Sequence, residues 1–262
     1  MRVDEVGVVE QALRTARPAL VGYVTAGIRP DWVELVSAIA EAGADAVEIG
    51  LPFSDPSLDG PVIQQASAVA LRAGTTVEGA LGQLSGAGVG VPLVAMTYLN
   101  HLVVRGTDRF LGLLAGAGVA GCIVPDLPVA EADDHLAAAR RAGLEATLML
   151  GPNTPDDVAE LICRRSQGFI YVMSVMATTG SSAPPGPETW RVAERARSRT
   201  GRPVLIGFGI DGPRRAVEAA RHADGVVVAS ALMRQVLAGA RIGEVATTVA
   251  GIRAALDGGP PR

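Results

Sequence analysis

Two acidic side chains lie where carboxyl groups can do proton chemistry. Glu48 lies within the apolar segment AVEIG, and Asp59 lies in the proline-rich loop that follows it. A carboxyl group in an apolar strand loses hydration, so its pKa is expected to rise. The simpler alternative is a buried glutamate that is satisfied by a Tyr or Thr hydroxyl. Asp55-Pro56 and Asp59-Gly60 are ordinary turn pairs, but two carboxyl groups in different environments can divide acid and base roles.

An anion site is indicated near the end of the chain. The segment GFGIDGP (207–213) is a glycine-rich turn, and VASALMRQV passes directly from a strand into a helix at about Ser230. Backbone amides at a helix start bind phosphate. The chain has no lysine, so amides and hydroxyls are expected to do this binding.

A segment rich in Gly, Ser, Thr and Pro, residues 174–189, is either a disordered connection or, as we favour, a lid that excludes water when it closes. The three histidines show no metal-ligand spacing, and His135 and His222 are expected on the surfaces of helices. No G-x-S-x-G elbow occurs. The remaining interpretation is acid–base chemistry, without a metal, on a phosphorylated small molecule.

Composition excludes several classes of protein. All 23 basic residues of the 262 are arginine, which excludes Schiff-base aldolases, pyridoxal-phosphate enzymes and P-loop nucleotidases unless a partner supplies the amine. A net charge of −4 and 3% aromatic residues argue against nucleic-acid binding. Cys122 and Cys163 resemble core residues of a reduced protein. No apolar run approaches the ~20 residues that span a bilayer, and no signal peptide is evident. We therefore expect a cytoplasmic protein.

The elements that position these residues repeat along the chain as an alanine-rich helix, a glycine turn and a short apolar strand. Such strands, separated by helices, are typical of a parallel sheet. An open doubly wound sheet is the alternative, but no G-x-G-x-x-G opens a helix. We predict an α/β fold, a (β/α)8 TIM barrel, as a single domain over 1–262 with a frayed tail at about 257–262. The eight predicted strands are 20–25, 46–50, 93–98, 121–125, 146–150, 169–174, 203–208 and 225–229.

The alternation of side chains along the strands predicts which residues face the barrel interior. In AVEIG, Val47 and Ile49 suit the surrounding helices, so Glu48 must point inward. The same parity predicts that five polar residues near strand ends line the barrel mouth, among them all three tyrosines of the chain: Tyr23, Thr25, Tyr98, Asn100 and Tyr171. Active sites of TIM barrels lie at this end of the strands.

The stretch ADAVEIGLPFSDPSLDGPVIQQAS resembles the tryptophan synthase alpha chain family. The resemblance extends over essentially the whole chain. It includes the segments GYVTAG, MTYLN, GCIVPDLP, GFIYVMS and GFGI. It implies a TIM barrel that cleaves indole-3-glycerol phosphate to indole and glyceraldehyde 3-phosphate without a cofactor. It also implies a pyridoxal-phosphate beta chain as partner in an alpha2-beta2 heterotetramer, with loop 2 (52–60) and the lid facing that partner.

The resemblance also implies roles for individual residues. Glu48 is the general acid–base, and Asp59 is the carboxylate that binds the indole N–H. Tyr171 contacts the substrate, and Thr179 is the lid threonine that meets the loop 2 aspartate. The positions that match phosphate-binding residues of the family are Gly180, Gly209 and Ser230.

Two departures from the family pattern leave alternatives open. Ala177 replaces a glycine of the lid, and Ala229 replaces a glycine before the phosphate-binding serine. Both catalytic carboxylates are intact. The leading prediction is a tryptophan synthase alpha chain. The alternatives are a stand-alone lyase that supplies indole to another pathway, and a weakly active subunit that mainly activates a partner.

Overall fold

The protein is a closed barrel of eight parallel strands that pair in chain order, with β1 closing on β8. The computed structural model describes residues 6–16, 18–173 and 186–258. The predicted (β/α)8 barrel is confirmed. Its strands are β1 Ala19–Thr25, β2 Ala46–Gly50, β3 Leu93–Met96, β4 Val119–Ile123, β5 Glu145–Leu150, β6 Ile170–Val172, β7 Val204–Ile206 and β8 Gly225–Val228.

Helices cover the outside of the barrel. The connections β2–β3 and β3–β4 each carry a pair of them, and a third pair follows β8. A 3-10 turn, Val129–Glu131, precedes α7. The α-helices of the described residues are α1 Val8–Thr15, α2 Trp32–Glu41, α3 Pro61–Arg72, α4 Val77–Leu84, α5 Leu99–Arg105, α6 Thr107–Gly116, α7 Asp133–Ala142, α8 Asp156–Arg165, α9 Pro187–Arg199, α10 Pro213–Ala219, α11 Ser230–Leu237 and α12 Ile242–Asp257. None of these helices combines the length and the apolar character that crossing a membrane requires.

The predicted strand ends differ from the observed ones mostly at the carboxyl end. Strand β2 has the predicted bounds, whereas β3, β6 and β7 end about two residues earlier than predicted. The described residues beyond these ends, such as Tyr98, Met173 and Phe208, continue the apolar pattern of the strands but lie outside the strands, at the barrel mouth. Hydrophobic pattern alone does not separate the two.

The core has two layers, as expected for a barrel whose strands are covered by helices. Val47 and Ile49 belong to the outer layer between strands and helices, as predicted. Ala46 belongs to the inner layer within the barrel. Because side chains alternate along β2, Glu48 shares the inward face with Ala46, and the register pairs it with Tyr23 of β1.

Helix α1 closes the amino end of the barrel. Its residues Val9 and Leu13 pack within the inner core layer. Glu145, the first residue of β5, accepts hydrogen bonds from the backbone N–H groups of Val9 (3.2 Å) and Glu10 (3.0 Å). A carboxylate is favoured at a helix N-terminus, where backbone N–H groups lack partners within the helix. A side chain at Gly7 would overlap this carboxylate, so the N-cap glycine leaves it room.

We expect Glu145→Ala to lower the free energy of unfolding by about 2–3 kcal/mol, because it leaves buried N–H groups without acceptors and creates a cavity. Urea denaturation measures this change. The control is Glu78→Ala, which removes an exposed ion pair with Arg105 and is expected to cost at most about 1 kcal/mol. Equal losses in the two variants would contradict the proposed anchoring of α1.

One histidine differs from the prediction. His135 lies on α7 but is 6% exposed, so its predicted surface position is wrong. Its Nε2 lies 3.7 Å from the Sγ of Cys122, and burial lowers its pKa to about 4. His135 shares the buried face of the helix with Ala138 and Ala139, at i+3 and i+4. This spacing could have predicted the burial of His135 from the sequence. His222 lies in the turn after α10, partly exposed.

Candidate active site

The carboxyl end of the barrel holds a buried glutamate. Glu48 is 1% exposed, and its Oε2 has no hydrogen-bond partner among the described residues. Burial, together with the nearby charge of Asp59, which acts in the same direction, raises its pKa to about 8. The alternative of a structural glutamate with both oxygens satisfied therefore finds no support at Oε2. An orphaned buried oxygen is costly for folding and is available to a substrate.

Asp59 lies in the loop between β2 and α3, and its side chain is half-buried. Its Oδ2 accepts a hydrogen bond of 3.1 Å from the Tyr98 hydroxyl. Burial raises the pKa of Asp59 to about 6, and the Tyr98 hydrogen bond opposes that rise. Asp59 is therefore mostly ionised at neutral pH while Glu48 is mostly protonated.

Tyr98 holds loop 2 in place. Its hydroxyl donates to Asp59 and accepts from the backbone N–H of Leu58 at 3.2 Å. Its ring stacks on Phe53, with centroids 5.0 Å apart and planes 22° apart. One tyrosine thus contacts both ends of the loop that carries Asp59.

We expect Tyr98→Phe to raise the pKa of Asp59, because a hydrogen bond that favours the ionised form is lost while ring stacking is kept. The activity kcat/KM should fall about tenfold at pH 6 and much less at pH 8, since a hydrogen bond to a charged group is worth about 1.5–3 kcal/mol. A pH series of indole release measures this. An acid limb that stays in place would contradict the assigned hydrogen bond.

Tyr23 and Tyr171 line the barrel interior below the mouth. Both are buried, and burial raises the pKa of each hydroxyl well above its usual value, so both remain hydrogen-bond donors. The charges of Glu48 and Asp59 raise both values further. The Tyr23 hydroxyl fills the space that a side chain at Gly50 would need, and Tyr171 does the same at Gly207.

The structure brings five predicted residues together and separates others from them. Asn100 was predicted to line the mouth by strand parity, but β3 ends at Met96 and Asn100 lies exposed in the first turn of α5. Asp55 is exposed and accepts a hydrogen bond from Ser54. The residues that come together are Glu48, Asp59, Tyr23, Tyr98 and Tyr171.

The predicted anion positions lie at the ends of neighbouring strands. Gly209 follows β7 with φ +74°, a left-handed conformation that favours glycine. Ser230 is the exposed first residue of α11, directly after β8. Strands β7 and β8 pair side by side, which places both loops at the same edge of the mouth. Thr179 and Gly180, with residues 174–185 of the predicted lid, lie outside the described residues, and the last residues of that prediction, 187–189, instead begin α9.

Comparison with known proteins decides the family. The family model described as tryptophan synthase alpha chain matches residues 9–253. The chain belongs to this family. The tryptophan synthase alpha chain of Dehalococcoides mccartyi is 37% identical over 92% of this chain and 96% of its own length. That of Streptomyces coelicolor is 40% identical over 84% of this chain and 83% of its own.

Solved structures of tryptophan synthase resemble the barrel closely. One from Mycobacterium tuberculosis aligns with a TM-score of 0.88 and 30% identity, covering 96% of this chain and 99% of that one. The Pyrococcus furiosus structure, described as the mutually activating α2β2 complex, aligns with a TM-score of 0.84 and 31% identity, covering 91% of this chain and 98% of that one. As a tryptophan synthase alpha chain, the protein is a carbon–carbon lyase of tryptophan biosynthesis that cleaves indole-3-glycerol phosphate.

Two aromatic residues of the alpha-chain site were missed by the sequence reasoning. Phe53 stacks on Tyr98, and Phe208 contacts Tyr171 edge-on, with centroids 6.2 Å apart. The chain has only four phenylalanines, and these two directly follow β2 and β7. An aromatic residue just beyond a barrel strand was the available signal. Within the described residues, no group of three or more His, Cys, Asp or Glu side chains is placed to hold a metal ion.

Proposed function

We propose that the chain cleaves indole-3-glycerol phosphate by carboxylate acid–base catalysis, with Glu48 and Asp59 as the catalytic residues. The supporting observation is a pair of neighbouring carboxyl groups whose pKa values differ, about 8 for Glu48 and about 6 for Asp59. Near pH 7 the first can donate a proton while the second carries a negative charge. Two carboxyl groups whose environments separate their pKa values are suited to distinct acid and base roles.

In the first step, protonated Glu48 gives its proton to C3 of the indole ring. The ring becomes a protonated indolenine (a 3H-indolium cation), whose positive charge lies largely on the N–H group. Ionised Asp59 accepts a hydrogen bond from that N–H and stabilises the charge as it develops. The Tyr98 hydrogen bond orients Asp59 for this contact.

In the second step, the Glu48 carboxylate takes the proton of the glycerol hydroxyl on the carbon attached to C3. The electron pair of the O–H bond forms the aldehyde, the C–C bond breaks, and its electron pair returns to the indole ring. The products are indole and glyceraldehyde 3-phosphate, and Glu48 is again protonated. The one carboxyl group serves both steps because its raised pKa lies near the working pH.

The other predicted residues bind the substrate in this proposal. Tyr23, Tyr98 and Tyr171 enclose the indole ring, and Thr179 of the predicted lid meets the loop 2 aspartate. The phosphate is held by the amides and hydroxyls at Gly180, Gly209 and Ser230. Support comes from the place of Gly209 and Ser230 beside β7 and β8, where TIM barrels commonly bind phosphate.

The pH dependence of kcat/KM follows from the two pKa values. Activity should rise as pH passes about 6, where Asp59 ionises, and fall as pH passes about 8, where Glu48 loses its proton. A steady-state pH profile from 5 to 9 in overlapping buffers checks this. A profile that stays flat across pH 8 would contradict the acid role of Glu48.

We propose that the chain works in the cytoplasm with a pyridoxal-phosphate beta chain, as half of an α2β2 assembly. The Pyrococcus furiosus relative is described as such a complex. Val103 and Val104 on α5 are 68% and 71% exposed, an apolar pair beside the mouth that a partner would cover. We also propose that residues 1–262 act as one domain, since the strands on both sides of residues 174–185 pair in the same barrel.

Indole release from indole-3-glycerol phosphate, measured with and without an added beta chain, tests the proposal. Strong stimulation by the beta chain supports the alpha-chain role. Fast release by the chain alone supports the alternative of a stand-alone lyase, for which Ala229 beside the phosphate position is the motivating observation. Absence of turnover in both conditions would contradict both the alpha-chain and the stand-alone lyase hypotheses, and would leave the alternative of a subunit that mainly activates a partner.

A further inference from the structure

The amino end of the barrel, opposite the reaction centre, contains a cavity. Its volume is about 370 Å³, and α1, α9 and the segments before β7 and β8 enclose it. Three arginines from three different elements line it: Arg14, Arg197 and Arg202. We call this space the amino-end cavity.

Two carboxylates of the described residues face the arginines of the amino-end cavity. Glu10 pairs with Arg14 and lies 3.7 Å from the Nε of Arg202. Asp224 contacts Arg197 at 3.3 Å and also accepts a hydrogen bond from the Val204 backbone N–H. Arg202 therefore shares Glu10 with Arg14 and has no carboxylate to itself among the described residues.

The pairing also leaves hydrogen-bond donors unused. The Nε of Arg202 is buried and has no hydrogen-bond partner among the described residues. Arg197 meets Asp224 through one nitrogen at 3.3 Å, short of the two-pronged contact that a guanidinium fork makes with a carboxylate. Buried donors without partners are uncommon in folded proteins, and an oxyanion is the ligand that a guanidinium group satisfies best.

We propose that the amino-end cavity is a binding site for a small oxyanion, either a phosphate ester or a polycarboxylate. The two sources share the charged oxygens that arginine recognises, and the volume is that of a small-molecule site. Arg197 and Arg202 contribute the donors, and Ser198 lies at the exposed rim. This site is separate from the proposed catalytic centre and does not depend on the proposed function.

Calorimetric titration of the full chain with inorganic phosphate and with citrate, at constant ionic strength set by chloride, tests the proposal. The titration uses a Ser230→Asp background, whose added charge repels anions from the proposed phosphate position at the carboxyl end. We expect one saturable site. Binding of phosphate alone indicates a phosphate ester, binding of citrate alone indicates a polycarboxylate, and binding of both indicates a site that reads only the shared chemistry. Lack of saturable binding of either anion would overturn the proposal.

Two substitutions at one residue locate the site. Ser198→Glu places a carboxylate among the arginines without removing an ion pair and should weaken anion binding at least tenfold. Ser198→Gln, similar in size but uncharged, should stay within twofold. Arg202→Gln should also weaken binding at least fivefold, with folding checked by thermal unfolding. Indole release by the Ser198 variants in the otherwise unchanged chain should stay within twofold. Equal anion affinity in Ser198→Glu and Ser198→Gln would overturn the assignment.

Discussion

Glu48→Gln should reduce the rate of indole release by about 10³-fold or more, since general acid–base catalysis typically contributes about 10²- to 10⁴-fold. The amide keeps the size of the side chain but neither donates a proton to indole C3 nor accepts one from the glycerol hydroxyl. Single-turnover release of indole from indole-3-glycerol phosphate measures the loss. A rate within tenfold of the unchanged chain would show that another group moves the proton.

The matched control is Glu145→Gln, which changes the buried glutamate at the opposite end of the same barrel. The pKa of Glu145 is also raised, to about 7, chiefly by burial. Because its carboxylate binds the start of α1 and does not face the mouth, turnover should stay within a few-fold. Comparable losses in the two variants would attribute the Glu48 effect to general disturbance of the barrel.

The same Glu48→Gln substitution should stabilise the fold at high pH. The pKa of Glu48 is about 8 in the folded chain against an ordinary 4.5. Between these two pH values the side chain ionises readily in the unfolded chain, whereas its ionisation in the folded chain costs free energy. The stability that the protonated form contributes is complete below about pH 4.5 and is lost as pH rises through 8. Glutamine does not ionise, so the variant should gain on the order of a few kcal/mol above pH 8. Urea denaturation at pH 5 and pH 9 compares the two.

Asp59→Asn should reduce kcat/KM by about 10²- to 10³-fold, the cost of removing one group that stabilises charge in a transition state. Asparagine keeps the hydrogen-bonding shape but carries no negative charge to oppose the positive charge on the indolenine N–H. The acid limb of the pH profile, near pH 6, should disappear with the carboxyl group that produces it.

Asp55→Asn controls for the loop itself. Asp55 lies in the same loop, four residues before Asp59, but is exposed and bonded to Ser54. Its substitution should leave kcat/KM within about twofold, because surface substitutions away from special features usually change free energies by no more than ±0.5 kcal/mol. If both substitutions lowered kcat/KM by similar factors, the effect would come from the charge of the loop and not from a contact between Asp59 and the substrate.

The alternation of side chains along β2 was sufficient to predict that Glu48 points into the barrel. Successive side chains of a strand point to opposite faces, so Glu48 faces inward once Val47 and Ile49 face the helices. The same parity was wrong for Asn100, since it presumes that the strand continues, and β3 ends at Met96. Where a strand stops depends on loop packing at the mouth, and the hydrophobic pattern does not encode that packing.

The contacts that shape the site were beyond sequence reasoning for a different reason. Tyr98 reaches Leu58 and Asp59 across about 40 positions of chain, through a loop whose path depends on prolines and on the Phe53 stack. The pKa of Asp59 results from burial opposed by that hydrogen bond. A raised pKa for Glu48 could be expected from its position in an apolar strand, whereas the pKa of Asp59 depends on the tertiary contact with Tyr98.

Helix α1, held by Glu145 and packed through Val9 and Leu13, covers the amino end of the barrel interior, so the catalytic carboxyl groups are reached from the carboxyl end. Indole is apolar and uncharged, so its hydrogen bond to Asp59 is no longer reinforced by a positive charge on the ring once the C–C bond breaks. Substrate therefore enters and indole leaves at the same end of the barrel, and each hinders the passage of the other. A partner protein that binds indole at the carboxyl end removes the product from the path by which the next substrate molecule enters.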